Sequence, residues 1–333
     1  KLGEKKRRCV IINQPSTYPA RPLPGALVSG FVALGLEKSV WPREHLPALQ
    51  QLGYRIDVDS VKAKDNLDGL LDDLEATLMT RRQAAAYFLS KENWDYFQVV
   101  VTGTDRLHHF LWRAVAQADD PRHERAMAYY RKVDDFIRGV AQQANQGKSP
   151  SQENEDLFLL SDHGFCELKK EVRLNAWLQE AGYLDYLTET PGTVAEIGAN
   201  TKAFALDPGR IYLNVKGKFG RGTVAPEEAP ALRIEIANKL QALRYEGEPV
   251  IDRVFTREQA FHGPKIAQAP DLVSVSRDGF DLKGTTKGKE VFAETHFQGM
   301  HTWPDAFVWS RQPVPDSPEI ADLAKIISDW LLN

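Results

Sequence analysis

The sequence predicts an α/β fold, with helices on both faces of a mostly parallel sheet. Three observations carry this. Several short β-branched runs are apolar on both faces instead of alternating, as strands buried within a parallel sheet are. Each run ends abruptly in a turn or a helix start. Long amphipathic segments lie between them, and alternation of buried strand and helix builds helical layers around a sheet.

Residues 9–13 (CVIIN) form the first strand, which ends in the loop Gln14-Pro15-Ser16-Thr17-Tyr18-Pro19. Spacing of leucines, alanines and aromatics at three and four residues predicts a helix over 66–89. Residues 97–101 (FQVVV) form the second strand, closed by Thr102-Gly103. A further helix covers 122–144, with Met127, Tyr130, Val133, Phe136, Ile137 and Val140 on one face. Residues 157–160 (LFLL) form the third strand, and two more are expected at 272–275 and 306–309. The stretches 15–60 and 173–245 break this rhythm, and long irregular connections of that kind are often functional lids or walls. They are taken as insertions in a single domain over 1–333, which contains no internal repeat.

The chain has 333 residues, 42% hydrophobic and 26% charged, with a formal net charge of −4. Those values describe a globular protein and give no reason to expect a nucleic-acid polymer or an anionic membrane as partner. No apolar run approaches the ~20 residues that span a bilayer. The run Lys5-Lys6-Arg7-Arg8 leads straight into a strand and reads as a solvated strand entry. Cys9 and Cys166 are too few for a disulfide framework, so a cytoplasmic, reducing setting is the expectation.

Three separated stretches carry the chemistry. Thr104-Asp105-Arg106-Leu107-His108-His109 follows the second strand, at the carboxyl edge where ligands collect in open α/β sheets. If a helix begins near Asp105, then Asp105 and His109 stand at i and i+4 on one face and can grip a single cation. The bland alternative makes Asp105 an N-cap. His108 must point elsewhere and suits a substrate wall or a supporting role. Ser161-Asp162-His163-Gly164 ends the third strand, where a sharp turn can converge Asp162 and His163 on one ion and Gly164 permits the bend. Gly299-Met300-His301 precedes the last strand, with His296 a competitor for the same role. His45, His123 and His262 are expected at the surface. A mixed Asp/His set suits a borderline cation such as zinc or manganese. No nucleophile accompanies it.

The order Thr-Asp-Arg-x-x-His, Ser-Asp-His-Gly and Gly-x-His before a final strand resembles the alkaline phosphatase superfamily. Within it, the type I phosphodiesterase/nucleotide pyrophosphatase branch is the nearest likeness. Asn13 through Pro19, Val28-Ser29-Gly30-Phe31, Lys169-Lys170-Glu171-Val172 and Pro270-Asp271-Leu272-Val273 extend the resemblance along nearly the whole chain. It implies an alkaline phosphatase-like three-layer α/β/α domain with two divalent metal ions, usually zinc. Asp105, His109 and His301 would hold one ion, and Asp162 with His163 would form half of the second site. The reaction implied is hydrolysis of a small-molecule phosphate ester, most nearly a phosphodiesterase or nucleotide pyrophosphatase activity. A phosphomutase, a sulfatase-type enzyme or an inactive metal-binding homologue are the alternatives. His108, Arg106 and Lys170 are candidate substrate contacts.

The resemblance also implies a Thr or Ser nucleophile and a further metal-binding Asp, both on a segment preceding the first strand. Ser16, Thr17 and Ser29 do not sit at the expected place. The nucleophile is therefore expected outside this chain, which would be inactive or impaired by itself.

Overall fold

Four strands form the sheet that leads into the Asp105 segment: β1 (Cys9–Gln14), β2 (Gly25–Ser29), β3 (Val40–Trp41) and β4 (Tyr96–Val99). In this computed structural model, which describes residues 2–146 and 157–332, their order is β3-β2-β1-β4. β1 runs parallel to both neighbours, and β3 is antiparallel to β2. Val10, Ile12 and Val28 on one face and Cys9 and Leu27 on the other are buried, as strands covered on both faces must be. The irregular stretch 15–60 thus supplies two strands of the sheet as well as connections.

Two long helices match their predicted spans closely. α1 (Leu67–Lys91) is capped by Asn66, whose side chain accepts from Gly69 N at 2.8 Å and so satisfies one orphan donor of the first turn. Its buried residues, Leu70, Leu71, Leu74, Leu78, Ala85 and Phe88 among them, repeat with the helical period. Phe88 is fully buried, and truncating such a side chain to Ala costs about 3–5 kcal/mol. α2 (Gly103–Ala116) follows β4 after three residues, and α3 (His123–Ala144) follows it. The deepest residues of α3 are Ala126, Tyr129 and Phe136, while the predicted face through Tyr130 and Val133 is half-buried beside them.

The chain divides into two compact units. Lys1–Phe165 with His301–Asn333 form the first, and Cys166–Met300 the second. In the first, β5 (Phe158–Leu160) and β6 (Gly164–Glu167) flank the Asp162-His163 turn, β6 running on into the second unit. β5 was expected among buried parallel strands, but it is only half-buried and pairs antiparallel with β8 (Val308–Ser310). A hydrophobic tripeptide does not distinguish a two-sided strand from a short ribbon. His301 lies in β7 (Gly299–Thr302).

The second unit has its own core, including Val172, Leu178, Ala203, Ile211, Ile236 and Leu272. Its four-stranded sheet is antiparallel throughout, so the 272–275 strand, observed as Leu272–Ser276, joins no parallel sheet. Asn175, 1% exposed, ties that unit together by donating to Ala205 O and Gly284 O and accepting from Ala205 N. Among the described residues, no helix is long and apolar enough to cross a membrane.

Candidate metal centre

The first turn of α2 begins where β4 ends, and Gly103 makes that junction possible. A β-carbon there would lie 1.8 Å from the Tyr129 hydroxyl, so only glycine lets the turn sit against α3. Thr102, not Asp105, is the N-cap residue, and its side chain makes no capping bond. Asp105 therefore stands inside the helix, one turn before His109.

The two side chains meet His301. Asp105 Oδ2 lies 3.0 Å from His301 Nε2 and 3.6 Å from His109 Nε2, and the two imidazole nitrogens are 3.0 Å apart. His163 joins them, with its Nε2 3.9 Å from Asp105 Oδ2 and its ring stacked 3.7 Å from that of His301. Tetrahedral zinc with ligands at 2.0–2.1 Å sets its donors about 3.3 Å apart. The observed separations bracket that value, so this donor set fits a zinc-like cation.

Gly164 permits the approach for a reason other than the predicted one. A β-carbon there would meet Asp305 Cβ at 2.5 Å and Thr302 Oγ1 at 2.6 Å, so its small size brings the His163 turn against the His301 strand. His163 Nδ1 lies 3.2 Å from Gly164 O, a contact that leaves Nε2 turned to the carboxylates. Asp162 stays at the rim, 70% exposed, with Oδ1 3.5 Å from His163 Nε2.

Three further residues organise the group, and no sequence pattern had singled out two of them. Arg106 donates from Nε and Nη2 to Asp57 Oδ2 at 3.0 and 2.6 Å, and from Nη1 to Asp105 Oδ1 at 3.2 Å. That engages Oδ1 and leaves Oδ2 for the imidazoles. Asp57 lay hidden in the irregular stretch 15–60. Phe165 sits among four imidazoles, its ring centroid 4.7 to 5.4 Å from those of His108, His109, His163 and His301.

Electrostatics follow from this packing. Burial alone would raise the Asp105 carboxyl, but the His301 hydrogen bond and the charges of His109, Arg106 and His301 hold it below the ordinary range. His108 points away from the group and bonds Tyr130 Oη. Burial lowers its pKa to about 4, which keeps the ring neutral.

The remaining candidates have other partners. Lys170 pairs with Glu294 and lies 5.5 Å over the Tyr245 ring in the second unit. His296 belongs to that unit too, beside Phe297. Ser29 Oγ donates to Thr17 O and Thr17 Oγ1 to Gln14 O, while Ser16 holds a left-handed backbone in the same loop. His262 is exposed and His123 is half-buried against Ala114 O. His45 overturns its surface expectation, being 3% exposed, because Tyr87 and Phe88 of α1 close over its ring.

The sequence pattern of the type I phosphodiesterase / nucleotide pyrophosphatase family matches residues 5–304, and the chain belongs to that family. The likeness carried by the three motifs is thereby met. No curated protein matches the chain. Phosphonoacetate hydrolase from Sinorhizobium meliloti 1021, solved with phosphonoacetate, is similar at 14% identity over 82% of this chain and 56% of its own, with a TM-score of 0.40. Human ectonucleotide pyrophosphatase / phosphodiesterase 5 is similar at 13% identity over 68% of this chain and 47% of its own, with a TM-score of 0.32. The chain spans about half the length of these solved proteins.

Proposed function

We propose that this chain carries the metal-holding part of a phosphodiesterase or nucleotide pyrophosphatase acting on a small phosphate ester. The observation that carries the reading is the convergence of Asp105 Oδ2, His109 Nε2 and His301 Nε2 within 3.6 Å of one another. These three would hold one divalent cation, zinc before manganese, and His163 with Asp162 would hold half of a second. Bound there, such cations would supply Lewis acidity toward a phosphate ester.

The protein's own groups do the positioning. Arg106, bound to Asp57 and Asp105, orients the carboxylate, and its contacts favour this role over direct substrate binding. His108, neutral and tied to Tyr130, serves as wall rather than as proton donor. Lys170 is retained as a substrate contact that would first have to leave Glu294. Thr17 and Ser29 give their hydroxyls to backbone carbonyls, so neither is assigned as the nucleophile. A cytoplasmic setting remains the reading for a chain with only two cysteines, too few for a disulfide framework.

Metal loading tests the ligand assignment. The chain takes up zinc or manganese, and His301→Ala or Asp105→Asn removes at least one ion; uptake indifferent to both overturns it. With the nucleophile present, bis(p-nitrophenyl) phosphate should turn over faster than the monoester or the sulfate ester. A preference for either of the latter moves the assignment to a phosphatase or a sulfatase. Hydrolysis by the 333-residue chain, abolished by mutating one of its own hydroxyls, would identify that hydroxyl as the nucleophile.

A further inference from the structure

A second group of ligand atoms lies at the other end of the parallel sheet. Asp105 follows β4, whereas Glu92 precedes it, directly after α1. Glu44 and His45 follow β3, which runs antiparallel to β2 and so ends at that same edge. One ligand atom from each of Glu44, His45 and Glu92 lies within 4.8 Å of the others.

Two exposed or half-exposed carboxylates would mean little alone. The imidazole is what distinguishes the group. His45 is 3% exposed, and its Nε2 is buried with no hydrogen-bond partner among the described residues. That nitrogen lies 3.3 Å from Glu92 Oε1, but without the alignment of a hydrogen bond. A buried polar atom without a well-made hydrogen bond costs up to about 1–3 kcal/mol, and a cation shared with the Glu92 carboxylate would satisfy it.

The surroundings are built as ligand supports are. His45 Nδ1 lies 3.1 Å from Tyr87 Oη, and donation there presents Nε2 as a lone pair. The Tyr87 and Phe88 rings meet the imidazole edge-on at 5.7 and 4.9 Å, which fixes its plane. Arg8 Nη2 donates to Glu92 Oε2 at 2.6 Å, which steadies that carboxylate and leaves Oε1 toward His45. Glu44 is exposed and opens the site to solvent.

We propose that His45, Glu92 and Glu44 form a separate divalent-cation site on this edge of the sheet. One imidazole with two carboxylates is a set for zinc or manganese, with water completing the coordination. The site is independent of the Asp105 cluster. It would pin the entry of the first short helix after β3 to the carboxyl end of α1, stabilising the fold rather than performing chemistry.

Zinc chloride titrated calorimetrically into the Asp105→Asn/His301→Ala chain isolates it. One residual site per chain is expected, weakened at least about tenfold by Glu44→Gln or by Glu92→Gln. Zinc should also raise the melting temperature of the double variant, and Glu44→Gln should abolish that rise. Glu44 is exposed, so its substitution leaves the metal-free melting temperature unchanged and separates lost binding from lost folding. In the unmodified chain, Glu44→Gln should lower bound zinc by one ion. No residual binding in the double variant, or binding indifferent to both Glu substitutions, overturns the site and leaves an ordinary His45–Glu92 ion pair.

Discussion

Arg106 holds Asp57 through two donors on one carboxylate oxygen, at 3.0 and 2.6 Å, across 49 residues of sequence. The same guanidinium reaches Asp105 and lies 4.2 Å over the Phe31 ring. Asp57 is itself anchored, accepting from Val58 N and from Thr102 Oγ1. Behind it, buried Arg81 donates to the carbonyls of Arg55 and Ile56. The Asp105 carboxylate thus ends a chain of charge-assisted bonds rooted in α1.

Removing that support should loosen the metal without unfolding the protein. Arg106→Ala is expected to weaken zinc binding by about 10–100-fold, the usual effect of losing a partner that orients a ligand. Arg106→Lys should recover only part, because an ammonium cannot fork between two carboxylates. Competition with a chromophoric chelator measures both. Affinity unchanged in Arg106→Ala would mean that Asp105 needs no orientation.

Gly164 is expected to tolerate no side chain. Gly164→Ala sets a methyl group against Asp305 and Thr302, which should cost about 1–3 kcal/mol and separate His163 from His301. Thermal melts and zinc titration should therefore fall together. A variant with wild-type stability and wild-type affinity would refute the close-approach argument.

The two histidines near the last strands should separate cleanly. His301→Ala is expected to abolish binding at the Asp105 group, because it removes the atom nearest both Asp105 Oδ2 and His109 Nε2. His296→Ala should leave that binding unchanged. Equilibrium dialysis of the two variants decides the matter, and the opposite pattern would make His296 the ligand.

Alkali should unfold the protein through its buried phenols. Burial raises Tyr54 and Tyr96 to about 12, against about 10 in an unfolded chain. A raised acid favours its protonated form in the folded state, so this contribution is intact below about pH 10 and is lost as pH rises toward 12. Tyrosinate absorbance should show a late, cooperative step coincident with loss of circular dichroism. Smooth ionisation of every tyrosine near pH 10 in a folded chain would contradict this.

Much of the fold was legible because local periodicity and turn chemistry decide it. The helix ending at Lys91, the Asn66 cap and the strand that leads into Gly103 all lie within two residues of expectation. Partner choice was not legible. The apolar run at 157–160 pairs with Val308–Ser310 in an antiparallel ribbon, a choice made by residues some 150 positions away. His45 looked like a surface residue in a charged context, and only the rings of Tyr87 and Phe88 bury it.

The same division runs through the metal group. The sequence by itself determined which candidate ligands exist and put Asp105 and His109 on one helical face, since i and i+4 fall there whatever surrounds them. Tertiary structure alone decided that His163 and His301 stack, that Phe165 lies among four imidazoles, and that Asp57 aims Arg106 at Asp105. The physical reason is range. Helical spacing is a property of the local backbone, whereas the distance between an imidazole on a turn and one on a far strand depends on a glycine small enough to let the two touch.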